Sequence, residues 1–267
     1  MRDFLKTNYV TYLLAILPTT SALAFSRVQT KAGAEVHWTA AGVTIQRDTL
    51  APSEQLSDDQ VQKALQSALT AWSELPESHV KLTLGADAVN PTAKSGTPTL
   101  NFVRFRQSDW PYEHTMLAFT QLYTHPSSGE IVSATIEVNE QDNHFFGPDD
   151  QPSHASNLYD LQAVLTHEMG HLIGLGHSTD DKATMYRSTA PFDTHQRTPD
   201  DDDRQGVAAL FDQSGGNDGG TTPSAAPAHG CSVAPGRTDA GQHGTTVVMF
   251  GLALAALAFR RSRRLAA

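Results

Sequence analysis

Residues 167–177 read HEMGHLIGLGH and place three histidines, one glutamate and three glycines within eleven positions. Side chains four residues apart on a helix lie on the same face, so His167 and His171 point in one direction. Glu168 lies about 100° further round the helix and flanks that face. Gly174 can end the helix in a left-handed conformation, which lets the chain bring His177 back to the same place. The stretch therefore predicts three imidazoles converging beside one carboxylate.

Three neutral imidazoles with an open fourth position are the ligand set of a catalytic zinc ion. Its charge lowers the pKa of a bound water towards about 7, and Glu168 beside the open position is the candidate general base. The alternative is a group of surface histidines that hold no metal. The fixed spacing of Gly174 and His177 after the first two histidines disfavours that alternative.

The motif HExxHxxGxxH is followed by ATMY at 183–186, and the two together resemble the metzincin proteases. Within that group the stretch is similar to the matrixins, the relatives of the matrix metalloproteinases. The resemblance implies a zinc endopeptidase in which Met185 forms an apolar floor under the metal. It also implies that Asp202 and Asp203 brace the methionine turn and the start of the chain. Substrate would lie extended along an edge strand of the sheet, for which we expect residues 131–139.

The sequence departs from the matrix metalloproteinases in one respect that bears on regulation. Many of them carry a propeptide cysteine that blocks the zinc, whereas the single cysteine here, Cys231, lies downstream of the motif. We therefore expect either a chain that is active once folded or one restrained by something outside it. The family's structural zinc and calcium ions have candidate ligands, with solvated loop side chains as the alternative. The candidates are His114, His125, His144 and His154 for zinc, and Asp149-Asp150 and Asp180-Asp181 for calcium.

The remaining pattern predicts an α+β, metzincin-like domain over residues 25–213, with a twisted mixed β-sheet packed against three α-helices and the cleft on the HExxH helix. Alternating or apolar stretches predict strands at 36–48, 80–84, 99–105, 116–124 and 131–139, of which the last two form a hairpin. Helices are predicted at 57–72, at 157–174 and from Thr198 onwards. Ser57 and Gln60 form a capping box at the first. Leu161, Leu165 and Leu172 should anchor the second helix in the core.

Both ends of the chain carry targeting patterns. Residues 1–24 combine basic residues, an apolar run and Ala22-Leu23-Ala24, which is typical of a secretory signal peptide. Residues 214–244 have the composition of a Gly/Ser/Pro linker. Residues 245–267 hold a short hydrophobic segment and an arginine cluster. With Gly230-Cys231-Ser232, this tail resembles a MYXO-CTERM sorting tag, which includes a short hydrophobic helix, and the alternative is a plain membrane anchor. We expect secretion or display at the cell surface, with membrane contact through the tail.

Charge and composition limit the partners. The net charge of −10 and the lack of a basic stripe exclude nucleic acid as an expected partner. The matrixin resemblance implies a protein or peptide substrate. A non-catalytic, zinc-stabilised surface binding module and an anchored structural protein are the alternative functions. Glu168 distinguishes them from a protease, because a module without chemistry has no need of a general base at that position.

Overall fold

The computed structural model of the chain describes residues 24–89, 100–152 and 158–211, together with the backbone of 246–253. Within these described ranges three α-helices and a 3-10 helix, His195–Arg197, accompany eight strands, and the predicted α+β fold class is confirmed. The helices are α1 (Asp58–Ser73), α2 (Leu161–Ile173) and α3 (Asp201–Phe211). The strands are β1 (Gly42–Arg47), β2 (Lys81–Leu84), β3 (Asn101–Arg106), β4 (Met116–Thr124), β5 (Ile131–Asn139), β6 (His144–Phe146), β7 (Leu158–Asp160) and β8 (Thr246–Ala253).

The central sheet is mixed, with five strands in the order β2-β1-β3-β5-β4 and with β8 added beyond β4. Strands β2, β1, β3 and β5 run parallel, whereas β4 and β5 form the predicted antiparallel hairpin. The expectation that residues 131–139 form the edge strand is wrong, because β5 is paired on both sides, with β3 and with β4. Strand β4 contacts α2 instead, and it is the strand to which β8 is added.

Helix α1 begins at the capping box that the sequence predicts. The Gln60 N–H donates to Ser57 Oγ, and the Ser57 N–H donates to Gln60 Oε1 at 3.0 Å. Both bonds satisfy helix-end donors that would otherwise lack partners. At the other end of the helix the buried Trp72 Nε1 donates to the Thr166 carbonyl of α2 at 2.7 Å. This bond joins α1 to the helix that carries the histidines.

Helix α2 is buried on nearly every side. Its N-cap, Asp160, accepts a hydrogen bond from the Ala163 N–H at 2.9 Å. Leu161, Leu165 and Leu172, which were expected to anchor the helix, are each at most 1% exposed. The helix is enclosed by α1, by β4 and by the 3-10 helix. Close packing on all these sides fixes the helix in place, because a shift would open voids in the core.

Two helices begin later than the sequence predicts, because the residues before them are extended and form hydrogen bonds or strand pairs with other segments. Thr198 is extended, with φ −135° and ψ 124°, and its carbonyl accepts a hydrogen bond from Thr184 Oγ1 at 3.0 Å. Helix α3 therefore begins at Asp201. Residues 158–160 pair in parallel with β6 as strand β7, so α2 begins at Leu161.

The predicted signal peptide and linker lie outside the described residues, apart from Ala24. Residues 246–253 form strand β8, where the resemblance to a sorting tag implied a short hydrophobic helix. Within the part of the chain that the structure describes, no helix is both long and apolar enough to cross a membrane.

The packing of α2 predicts that Gly170 cannot be enlarged without cost. A Cβ at this position would lie 2.2 Å from Met185 Sδ and 2.8 Å from Trp72 Cζ2, both of which are buried. We expect Gly170→Ala to lower the free energy of unfolding by about 1–3 kcal/mol despite the better helix propensity of alanine. Urea denaturation measures the effect. Gly42→Ala is the control, because its Cβ would meet only Lys81 O, at 4.0 Å. Equal stabilities of the two variants would contradict the packing argument.

Candidate metal centre

The structure brings His167, His171 and His177 together. One ligating nitrogen of each ring lies within 4.8 Å of the other two. The ring centroids of His167 and His171 are 4.7 Å apart, and that of His177 lies 5.3 Å and 4.8 Å from them. Helix α2 supplies the first two histidines one turn apart. Gly174 ends the helix with φ 115°, and the chain turns there to bring His177 back.

Hydrogen bonds to carbonyl groups fix the tautomers of the two helical histidines. His167 Nδ1 donates to Thr184 O at 2.7 Å, and His171 Nδ1 donates to Leu175 O at 2.8 Å. Because a carbonyl oxygen only accepts, the proton is on Nδ1 and the lone pair is on Nε2, as in a metal ligand. Among the described residues, no group hydrogen-bonds to the buried Nε2 atoms of His167 and His177. A metal ion bound to these buried nitrogens would supply the partner that each of them lacks.

Burial keeps the three imidazoles neutral. It lowers the pKa of His167 to about 3 and the pKa of His177 to about 4. For the same reason the pKa of His171 falls well below its ordinary value, and repulsion from the other two rings adds to the shift. Neutral imidazole is the form that coordinates metals. Three nitrogen donors without a thiolate or carboxylate are a set that zinc accepts, so these residues fit a zinc ion.

Glu168, on α2, is fully buried and contacts β4. Thr120 Oγ1, on β4, donates to Glu168 Oε2 at 2.5 Å and lies 3.1 Å from the Glu168 carbonyl oxygen. In the described part of the chain Oε1 has no hydrogen-bond partner. Burial raises the pKa of this carboxyl to about 8, and the hydrogen bond from Thr120 opposes the rise. A divalent cation close by would favour the ionised form, which is the form that accepts a proton.

Met185 packs against the middle of α2. It is 1% exposed, and its sulfur lies 2.2 Å from where a Cβ on Gly170 would be, on the helical turn that runs from His167 to His171. The Ser178 N–H donates to the Met185 carbonyl at 2.8 Å, which links the methionine turn to the residue after His177. The sulfur therefore lies on the same part of the helix as the histidines, where it provides an apolar surface.

Asp203 and Asp202 make the two contacts that the matrixin resemblance implies. Asp203 accepts from the Met185 N–H at 2.9 Å and from the Thr184 N–H at 2.7 Å. Because the Thr184 carbonyl holds His167, Asp203 positions that histidine through one peptide unit. Asp202 Oδ1 accepts from the N–H groups of Ala24 and Phe25, both at 3.1 Å. The last helix thus fixes both the methionine turn and the first described residues.

A family model for matrixins matches residues 37–212, which is more than half of the chain and includes every element of the site. The chain belongs to the matrixin family. The expected fold and the expected family are both confirmed by this match, together with the helix, the methionine turn and the sheet described above.

Curated relatives of this matrixin chain agree with the assignment. "Metalloendoproteinase 1" of Glycine max is 42% identical over 59 residues, which are 22% of this chain and 19% of that protein. "Matrix metalloproteinase-C" of Caenorhabditis elegans is 32% identical over 151 residues, or 55% of this chain and 22% of that protein. "Matrix metalloproteinase-20" of Homo sapiens is 27% identical over 181 residues, or 66% and 32%. The chain thus spans less than a third of the length of each of these relatives.

The other candidate ligands that the structure describes do not assemble into a comparable group. Among the described residues, the histidine triad is the one cluster of three or more side chains close enough to share a metal ion. His114 lies 3.0 Å from Asp142, and Asp149 pairs with Lys63. Asp150 accepts hydrogen bonds from Gln60 Nε2 and from the Gly147 N–H. His154 lies outside the described residues.

Two residues of the site, Thr120 and Gln196, are not predicted from the sequence. Thr120 contacts the candidate base, and Gln196 Nε2 donates to the carbonyls of Thr184 and Tyr186 at 3.1 Å and 2.8 Å. Thr120 lies within a strand otherwise rich in apolar residues, which is a weak signal for a buried polar contact. The sequence around Gln196 does not indicate its role, because the hydrogen-bond partners of Gln196 are backbone carbonyls of the methionine turn.

The position of Asp203 predicts a large and specific loss of stability on substitution. Asp203→Asn replaces one acceptor oxygen with an NH₂ donor facing backbone N–H groups. We expect the free energy of unfolding to fall by about 2–4 kcal/mol, because a buried donor is left unsatisfied. Urea denaturation with a chelator present separates this effect from metal binding. Asp201→Asn, at an exposed position on the same turn, should cost at most about 1 kcal/mol through the helix dipole. A similar loss of stability in both variants would contradict the role of Asp203 as the acceptor for the Thr184 and Met185 amides.

Proposed function

We propose that the chain is a zinc-dependent endopeptidase in which His167, His171 and His177 hold the metal and Glu168 is the general base. The observation that carries the proposal is that His167, His171 and His177 converge, while Glu168, whose carboxylate is fully buried, directly follows the first of them on the same helix. Membership of the matrixin family supports the same reaction. Met185 and Gly174 have structural roles, as the apolar floor and as the turn that returns His177.

A zinc ion held by these histidines would act as a Lewis acid and lower the pKa of a water bound to it. Glu168 takes the proton from the attacking water and passes it to the amine that leaves when the peptide bond breaks. Thr120 holds Glu168 Oε2, which leaves Oε1 as the oxygen that exchanges the proton. The bond from Thr120 also keeps the carboxylate in one rotamer, so little reorganisation is needed at the moment of reaction.

The substrate is proposed to be a protein or peptide segment bound in extended form along β4. An edge strand offers a row of backbone donors and acceptors to a partner strand, and side-chain pockets then add selectivity. Strand β4 is the outermost of the five central strands, with β8 added beyond it, so it offers such an edge when β8 is displaced. Thr120, in the middle of β4, contacts Glu168. A peptide paired with this strand would therefore pass beside the base.

Export is proposed from the signal-peptide pattern at 1–24, which would deliver the protease outside the cell or to its surface. The tail at 245–267 would then act as a sorting tag or an anchor. These assignments rest on the sequence patterns alone.

The proposal predicts that Glu168→Gln removes peptide hydrolysis but leaves the metal in place. Metal content and cleavage of unfolded casein would be measured for the full chain, with and without a chelator. The parent should hold one zinc ion and show chelator-sensitive cleavage. Glu168→Gln should hold zinc and be slower by about 10²–10⁴-fold, which is the usual contribution of a general base.

Gln162→Ala, on the partly exposed face of the same helix, is the matched control and should behave as the parent. Zinc bound to a parent that cleaves neither casein nor a broad peptide library would favour the alternative, a zinc-stabilised binding module. Absence of zinc from the parent would reject the metal centre itself.

A further inference from the structure

The C-terminal strand β8 occupies the free side of β4. It runs antiparallel to β4, with Phe250 opposite Thr120 and Val248 opposite Leu122. Helix α2 also contacts β8. Because Thr120 holds Glu168, the part of β8 around Phe250 lies directly across from the residue that positions the candidate base.

The hydrogen bonds of β5 show which backbone groups of β4 face β8. The Ala134 N–H donates to Asn101 Oδ1, on the β3 side of the sheet, at 2.8 Å. Ala134 is paired with Leu122, so this pair exchanges no hydrogen bonds and the Leu122 N–H and carbonyl point away from β5. Thr120, two residues away on the same strand, points the same way. We name the backbone groups of Thr120 and Leu122 the β4 edge.

The β4 edge is the same set of donors and acceptors that an extended substrate would use. A strand added to a sheet edge bonds through its backbone, whatever its sequence, so two strands cannot occupy one edge together. In β8 the N–H groups of Val248 and Phe250 face the β4 edge. The N–H groups of Val247 and Met249 point outwards by the same alternation.

We propose that residues 246–253 act as an intramolecular occupant of the substrate edge and restrain the protease until the tail is displaced or removed. The inference rests on the proposed function, since it takes the β4 edge as the substrate site. It places the restraint within the chain, which has no cysteine upstream of the histidine motif. Because occupant and edge belong to one chain, the block does not depend on protein concentration.

Two proline substitutions in the full chain separate a backbone contact from a general disturbance of β8. Phe250→Pro deletes an N–H that bonds the β4 edge, whereas Met249→Pro deletes one that points outwards, which an edge strand tolerates. Hydrogen exchange would be followed in the Glu168→Gln background, so that the chain cannot cut itself. We expect the amides of Thr120 and Leu122 to exchange at least about fivefold faster in Phe250→Pro than in the parent or in Met249→Pro.

Binding of a labelled peptide with the sequence of residues 246–253, TVVMFGLA, tests occupancy without catalysis. The inactive Phe250→Pro chain should bind the peptide and regain protection of Thr120 and Leu122. The inactive parent and Met249→Pro should bind it at least about fivefold more weakly. In the active background, Phe250→Pro should cleave casein at least about fivefold faster than the other two chains, with equal zinc content.

The outcomes distinguish this inference from the proposed function. Equal exchange and equal peptide binding in all three inactive chains would overturn the inference, whatever the activity. Faster exchange in Phe250→Pro, with Glu168-dependent casein cleavage present but no faster than in the parent, would also overturn it, because the β4 edge would then not be the substrate site. Faster exchange and tighter peptide binding, with no Glu168-dependent cleavage in any active chain, would reject the protease and leave β8 as an occupant of a peptide-binding edge.

Discussion

A left-handed turn at Gly174 is the constraint on which the site depends. Its φ of 115° ends α2 one residue after Ile173, and a Cβ there would lie 2.9 Å from the Val36 carbonyl. A helix continued past this point would carry the chain away from His167 and His171, and His177 would not return to them. The backbone conformation of one residue therefore decides whether the third imidazole joins the two that helix geometry already places together.

A polar network outside the histidines then fixes their orientation. Asp203 holds the Thr184 and Met185 amides, and the Thr184 carbonyl in turn sets the tautomer of His167. Each of these hydrogen bonds is buried, so loss of one partner would leave the other partner unsatisfied. The low dielectric of the interior raises the cost of an unsatisfied polar group in this network. It also keeps the imidazoles neutral and disfavours ionisation of Glu168 unless a cation is near.

The sheet supplies a second function besides support. Helix α1 packs against the parallel strand β2, whereas α2 packs against the antiparallel β4, whose outer backbone groups lie on the strand that holds Glu168 through Thr120. Pairing of β8 with those groups makes the C-terminal segment part of the same sheet. A protease that recognises extended backbone is open to occupation by its own chain, because strand addition requires few particular side chains.

Elements with local signals could be predicted from the amino-acid sequence. Period and capping predict α1, the hairpin β4–β5 and the positions of His167, Glu168 and His171 on one helix, since these depend on residues a few positions apart. Three features emerge only from the folded chain: β4 rather than β5 is the strand beside the site, Thr120 and Gln196 belong to the site, and residues 246–253 pair with β4. Strand order and buried polar contacts join residues tens of positions apart, and their energies depend on which surfaces meet after the chain has packed.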